Sequence, residues 1–166
     1  MKKITLTHEI NCSEERFWEL FFDDAFNTAL FRDHLSFPKY EILNLKRHDD
    51  GRVDRTVRGV PKMDVPKALQ KVLGDGFGYD EDGSYDPKTG TWTWKMKPNT
   101  LAGKLRTEGT VRCEKVSDDK CRRVAVIELE AKVFGVGGLL ESTTEKEMRT
   151  GWDSSAAYMN EWIKKG

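Results

Sequence analysis

The stretch from Gly135 to Ile163 limits the fold more than any other part of the chain. Apolar or small residues recur at Val136, Leu140, Thr144, Met148, Trp152, Ser155, Met159 and Trp162. Steps of three and four are the spacing of one helix face. Leu139, Thr143, Gly151, Ala156 and Ile163 widen that stripe, while Glu141, Glu145, Lys146, Arg149, Asp153 and Glu161 fall on the opposite side. Lys164 and Lys165 suit the negative end of the helix dipole. A helix of about 28 residues is about 42 Å long at about 1.5 Å per residue, more than twice the usual globular length. So long an apolar stripe needs a large apolar partner, and a sheet built from the rest of the chain is the candidate.

The preceding sequence reads as that sheet. Lys2 to Ile10 alternates, with Ile4, Leu6, His8 and Ile10 on one face, as in a half-buried strand. Ser13 before Glu14-Glu15 is a good N-cap for a helix rich in Phe17, Trp18, Leu20, Phe21 and Phe22. A second short helix is predicted from about Asp24 to His34. Strands at Lys39–Arg47 and Arg52–Val60 flank a turn with Asp50-Gly51, a strong hairpin signal. Pro66 sits where a first helical turn begins, and Ala68, Leu69, Val72 and Leu73 give a short amphipathic helix ending at Gly74. Four more alternating runs follow, at Gly76–Tyr85, Thr91–Lys97, Lys104–Val116 and Cys121–Phe134, separated by turn sequences. Hairpin-length turns force mainly antiparallel pairing, and alternation leaves one sheet face wet and the other covered.

Composition narrows the class. At 166 residues, with 37% hydrophobic and 34% charged content, the expectation is one globular domain over 1–166. Lys+Arg and Asp+Glu are both 28, which argues against a dedicated nucleic-acid binder. No run approaches the ~18 apolar residues of a membrane span, and MKKITLTHEI lacks the apolar run of a signal peptide. Cys12, Cys113 and Cys121 are odd in number and outside CxxC spacing, as expected of reduced thiols. A cytoplasmic protein is the expectation. Transient membrane contact and the oligomeric state stay open.

The order of elements resembles the helix-grip fold of the START-like (SRPBCC) superfamily. The opening ITLTHEINCSEERFWELFFD is similar to the family's strand, polar break and aromatic helix. Phe134-Gly135-Val136-Gly137-Gly138-Leu139-Leu140-Glu141 is similar to its Gly-rich lead into the last helix. The resemblance is greatest to uncharacterised members. It implies an α+β fold in which a curved antiparallel sheet of six to seven strands wraps a long C-terminal helix, with two short helices after the first strand. It also implies a cavity under that helix for lipids or other hydrophobic small molecules, and, in some members, cyclase or dehydratase activity.

Alternation nominates the cavity wall. Val53, Arg55, Val57 and Gly59 share a face, as do Phe77, Tyr79 and Glu81, and Trp92, Trp94 and Met96. Leu105, Thr107, Val111, Ile127, Leu129 and Val133 extend the wall, and Leu140, Thr144, Met148, Trp152, Ser155 and Met159 face it from the helix. All of these serve equally well as ordinary core. Gly59, Gly109, Ala131, Gly151 and Ser155 are small enough to leave space. Arg55 falls inside by alternation, where a guanidinium is costly unless paired, and Glu81 is the expected partner. A one-residue change of register would put either in solvent. The outer faces, to which Arg122 and Arg123 are assigned, read as a solvated surface.

No metal-ligand spacing links His8, His34 and His48, and no nucleophile elbow surrounds the serines. No cofactor is indicated. Three functions remain: a binder of a hydrophobic small molecule or lipid, with Val60–Gly74 as a gate; an enzyme on the same fold using His8, Tyr79 or Glu81 as acid or base; or an interaction domain with a filled core.

Overall fold

A computed structural model describes residues 1–166. Seven strands form one antiparallel sheet: β1 (Lys2–Ile10), β2 (Lys39–Arg47), β3 (Val53–Val60), β4 (Tyr79–Asp86), β5 (Thr91–Pro98), β6 (Leu105–Ser117) and β7 (Lys120–Ala131). Their spatial order is β1-β7-β6-β5-β4-β3-β2. The meander from β2 to β7 thus closes with β7 returning beside β1. Two short helices follow β1: α1 (Glu14–Phe21) and α2 (Asp24–Thr28), which runs on as a π-helical stretch Ala29–His34. α3 (Lys67–Leu73) lies between β3 and β4, and α4 (Gly137–Lys165) ends the chain. This is the helix-grip fold expected from the order of elements.

Local chemistry sets the boundaries. Ser13 caps α1 by accepting from the backbone N–H of Arg16, and Asp23 caps α2 through Phe26 N–H. The Nδ2 of buried Asn27 donates to the carbonyls of Phe21 and Asp23, satisfying the C-terminal end of α1. The predicted single helix over Asp24–His34 is therefore an α-turn continued in π geometry, a form that clusters at functional sites. α4 starts at Gly137, not Gly135. Gly135 has φ +80°, left-handed backbone that cannot continue a helix, and a side chain on Gly137 would lie 2.6 Å from Ala131 O. β4 starts at Tyr79 because Gly76 (φ +72°) turns the chain.

The main core lies at one end of the sheet. Phe17, Leu20 and Phe22 of the α1 segment and Phe26 pack with Ile10, Trp92, Val111, Cys121, Ala125 and Ile127. Gly83 is the close approach that makes this possible. The Trp92 ring lies over it, and a Cβ there would sit 1.9 Å from Trp92 Cζ2. A smaller cluster, Val65, Leu69, Leu73 and Leu140, joins α3 to the first turns of α4. The cysteines are free thiols. Two small residues do not open space as expected: the site of a Gly59 side chain is occupied by the rings of Tyr79 and Phe37, and that of Gly109 by Val126 O.

The Gly83–Trp92 contact leads to a prediction. Gly83→Ala should lower the urea midpoint by roughly 1–3 kcal/mol of stability, since Trp92 must move in a packed core. Gly138→Ala, which meets nothing within 4 Å, should be neutral or stabilising by up to about 1 kcal/mol. Equal midpoints for the two variants would contradict this packing.

Candidate functional site

α4 packs on β1 and β7, leaving space between it and the rest of the sheet. The helix is held at both ends. Near its start, Leu140 is buried among α3 side chains, and Glu141 accepts from Ala131 N–H at 3.0 Å. Near its end, Trp162 packs edge-on to Phe26 with ring centres 5.4 Å apart. There too Asn160 accepts from Asn11 N–H and donates to Glu9 O. Leu140, Ala156 and Met159 are buried, whereas Thr144, Met148 and Trp152 between them are only half-buried. They face a cavity of about 660 Å³. Twenty of its 41 lining residues are hydrophobic, so its wall is mixed rather than purely apolar.

Fifteen of the twenty-two residues nominated from sequence meet in this wall: Arg55, Phe77, Tyr79, Glu81, Trp94, Met96, Leu105, Thr107, Leu129, Leu140, Thr144, Met148, Trp152, Ser155 and Met159. Val53, Val57, Gly59, Trp92, Val111, Ile127 and Val133 do not. Trp92 turns into the main core against Phe21 and Phe22. Val57 is buried away from the cavity, its short side chain flanked by Arg55 on its own strand and by Glu81 opposite on β4. Exposed lining residues include His34 and Ser36 after the π-helical stretch, Lys62, Met63 and Asp64 before α3, and Glu147 and Thr150 of α4, which border the mouth. His34 bonds Ser154 Oγ at 2.8 Å and stacks on Tyr158, closing one end of that mouth.

Arg55 is inside, as alternation required, and only 6% exposed. Its expected partner is not in contact with it, since no carboxylate lies within 4 Å of the guanidinium. Instead Nη1 donates to Phe21 O at 2.6 Å, and the guanidinium carbon lies 4.9 Å from the Phe21 ring centre, 5.0 Å from Trp92 and 5.4 Å from Phe22. Such cation–π contacts are worth roughly 0.5–2 kcal/mol each. Burial lowers the Arg55 pKa, with Tyr40 and Glu81 acting in the opposite direction.

Arg123 was assigned to the outer face and is instead 4% exposed on the inner one. Its parity with Cys121, Ala125 and Ile127 carried that signal. Nη1 donates to Ser155 Oγ, while Nη2 donates to Trp152 O and to Nδ1 of His8. The guanidinium also sits over the Trp152 ring at 4.7 Å. His8 Nε2 meets Asp153 at 2.6 Å on the exposed side. With Nδ1 accepting, Nε2 carries the proton. His8 is therefore taken up in positioning Arg123 and is not part of the cavity wall. Burial pushes Arg123 down to about 10, still protonated at neutral pH.

Glu81 and Tyr79 project from β4 into the cavity. Burial raises the Glu81 carboxyl above its usual range, opposed by Arg55 and reinforced by Asp82. Burial likewise raises the Tyr79 hydroxyl. No group of three or more His, Cys, Asp or Glu is placed to hold a metal ion. No helix is long and apolar enough to cross a membrane.

The Glu81 shift has a definite sign. A carboxyl whose folded pKa exceeds its unfolded value makes the native state bind more protons. Stability is then lost as pH rises from 4.5 through the folded value. Glu81→Gln should therefore gain stability relative to the parent as pH goes from 4 to 8 in thermal melts. A variant increasingly destabilised with pH would mean that Arg55 attraction outweighs burial.

The family model described as "Protein of unknown function (DUF2505)" matches residues 5–163. No curated protein sequence matches this chain. Among solved structures, the Zhui aromatase/cyclase from Streptomyces sp. R1128 is similar at TM-score 0.70 and 12% identity, covering 99% of this chain and 94% of its own. A START superfamily protein from Mycobacterium smegmatis aligns at TM-score 0.62 and 13% identity, over 98% and 97%. Norcoclaurine synthase from Thalictrum flavum aligns at TM-score 0.64 and 16% identity, over 99% and 87%. The fold is thus START-like, and the chain belongs to the DUF2505 family.

Proposed function

We propose that this DUF2505 protein binds a hydrophobic small molecule or lipid between α4 and the sheet. The observation that carries this reading is the roughly 660 Å³ of space beneath the middle of α4. A filled core would have buried Met148 and Trp152 against Trp94 and Leu129. The volume falls in the ~300–1,000 Å³ range of small-molecule sites. Removing apolar ligand surface from water supplies roughly 25 cal/mol per Å² before the cost of ordering. Entry passes between Lys62–Asp64 and the exposed α4 residues Glu147 and Thr150, and movement of the β3–α3 segment widens that route.

One observation favours a second reading, an enzyme acting on the same ligand class. Glu81 is a desolvated carboxyl on the cavity wall, with Tyr79 two residues along the same strand face. Groups of this kind serve as acids or bases in closed sites. The names of two structural neighbours, an aromatase/cyclase and norcoclaurine synthase, suit that reading. Binding comes first, because Glu81 lacks a hydrogen-bonded protein partner to relay its proton.

Gly151 provides the test. It lines the cavity, and a side chain there meets nothing within 4 Å. Gly151→Leu should fill the space while raising helix propensity by up to about 1 kcal/mol. Native mass spectrometry of the parent should reveal a co-purifying organic mass that is lost on denaturing extraction. The variant should lack it while melting no lower. A parent without bound mass, and without a thermal shift against a panel of lipids and aromatic compounds, would contradict the proposal.

A further inference from the structure

The interior polar atoms are unbalanced in sign. Three buried side-chain nitrogens or oxygens have no hydrogen-bond partner, namely Arg55 Nε, Trp94 Nε1 and Arg123 Nε. All three are donors, and all belong to residues of the one cavity wall. Two of them belong to guanidiniums more than nine-tenths buried. Buried unpaired donors are costly, and buried unpaired charges more so.

The two arginines are not equally in need of a partner. Arg123 is tied through His8 to the carboxylate of Asp153 and spends both Nη2 hydrogens on His8 and Trp152 O. Arg55 has one carbonyl and three ring faces but no carboxylate within ion-pair distance. Its Nε is sealed by neighbouring atoms. Its Nη2 makes no hydrogen bond within the protein and is not sealed. The single inner-wall carboxyl nearby, Glu81, is itself desolvated and held towards its neutral form. The remaining acids among the lining residues have other partners or face water: Glu141 is bonded by Ala131 N–H, Glu130 lies 3.8 Å from Lys132, and Asp64 and Glu147 are exposed at the mouth.

We propose that the ligand is an amphipathic acid whose carboxylate, or an equivalent single anionic group, lies against Nη2 of Arg55 while its apolar body covers Trp94, Met96 and Met148. This rests on the binding reading above and adds the head group to it. The ring cage around Arg55 and its bond to Phe21 O fix the guanidinium before any ligand arrives. Little side-chain entropy is then lost on binding. Fatty acids and aromatic acids share the required chemistry.

Two matched series distinguish these sources: dodecanoate, its methyl ester and dodecanol; and 2-naphthoate with its methyl ester and 2-naphthalenemethanol. Calorimetric titration at pH 7.5 should give the acid of at least one series roughly tenfold or more tighter binding than its neutral partners, as expected for a charged hydrogen bond. Arg55→Met, which keeps the apolar stem, should erase that preference while leaving binding of the neutral compounds, and Arg112→Gln, exposed on the outer face of β6, should retain it. Equal affinity of acid and neutral compounds for the parent would overturn this inference and leave the hydrophobic reading standing. A preference that survives Arg55→Met would remove Arg55 from the role. Binding of none of the compounds would count against both. Should Arg55→Met fail to fold, the comparison on the parent protein decides alone.

Discussion

The site depends on one constraint: α4 is fastened at its two ends and along the side that meets β1 and β7, and its other side faces the cavity. Burial of Leu140 against α3 and the Glu141–Ala131 bond hold its start. The Phe26–Trp162 contact and the paired hydrogen bonds of Asn160 hold its end. Between them Lys2, His8 and Arg123 tie one side of the helix to β1 and β7, and the other side spans the gap to the rest of the sheet. Trp92 over Gly83 packs with Phe17, Phe21 and Phe22 of the α1 segment, while Trp94, Met96 and Leu129 border the cavity.

That arrangement explains how two arginines are tolerated inside. A guanidinium in a fully packed core needs a carboxylate or several carbonyls. Here each is held by the edge of the core and faces the cavity: Arg55 by three aromatic faces and Phe21 O, Arg123 by Trp152, Ser155 and the His8–Asp153 pair. The two solutions differ in where the compensating charge lies. For Arg123 it reaches solvent through a histidine. For Arg55 no equivalent path exists within the chain.

Much of the architecture was legible in the sequence because it rests on periodicity. The 3.6-residue stripe of α4 and the two-residue alternation of the strands gave the fold, the meander and fifteen of the wall residues. What escaped depended on contacts that alternation does not encode. Trp92 and Trp94 share a strand face, and only the missing side chain at Gly83 explains why one ring turns into the core. Gly59 and Gly109 looked like sources of space, but a glycine can equally mark a ring or a carbonyl pressed against the backbone. Arg123 lay on the inner face by simple parity, and its charge outweighed that signal in the sequence reading. The π-helical turn and the left-handed Gly135 shifted boundaries by short distances, as expected where capping geometry rather than hydrophobic pattern decides.

A crystal structure of the purified protein tests the gap beneath α4 most directly. Organic or solvent density should lie between Met148 and Trp152 of α4 and Trp94 of β5, while Trp152 stays stacked on Arg123. A helix collapsed onto Trp94 and Leu129, with those side chains in van der Waals contact and no space between, would contradict this.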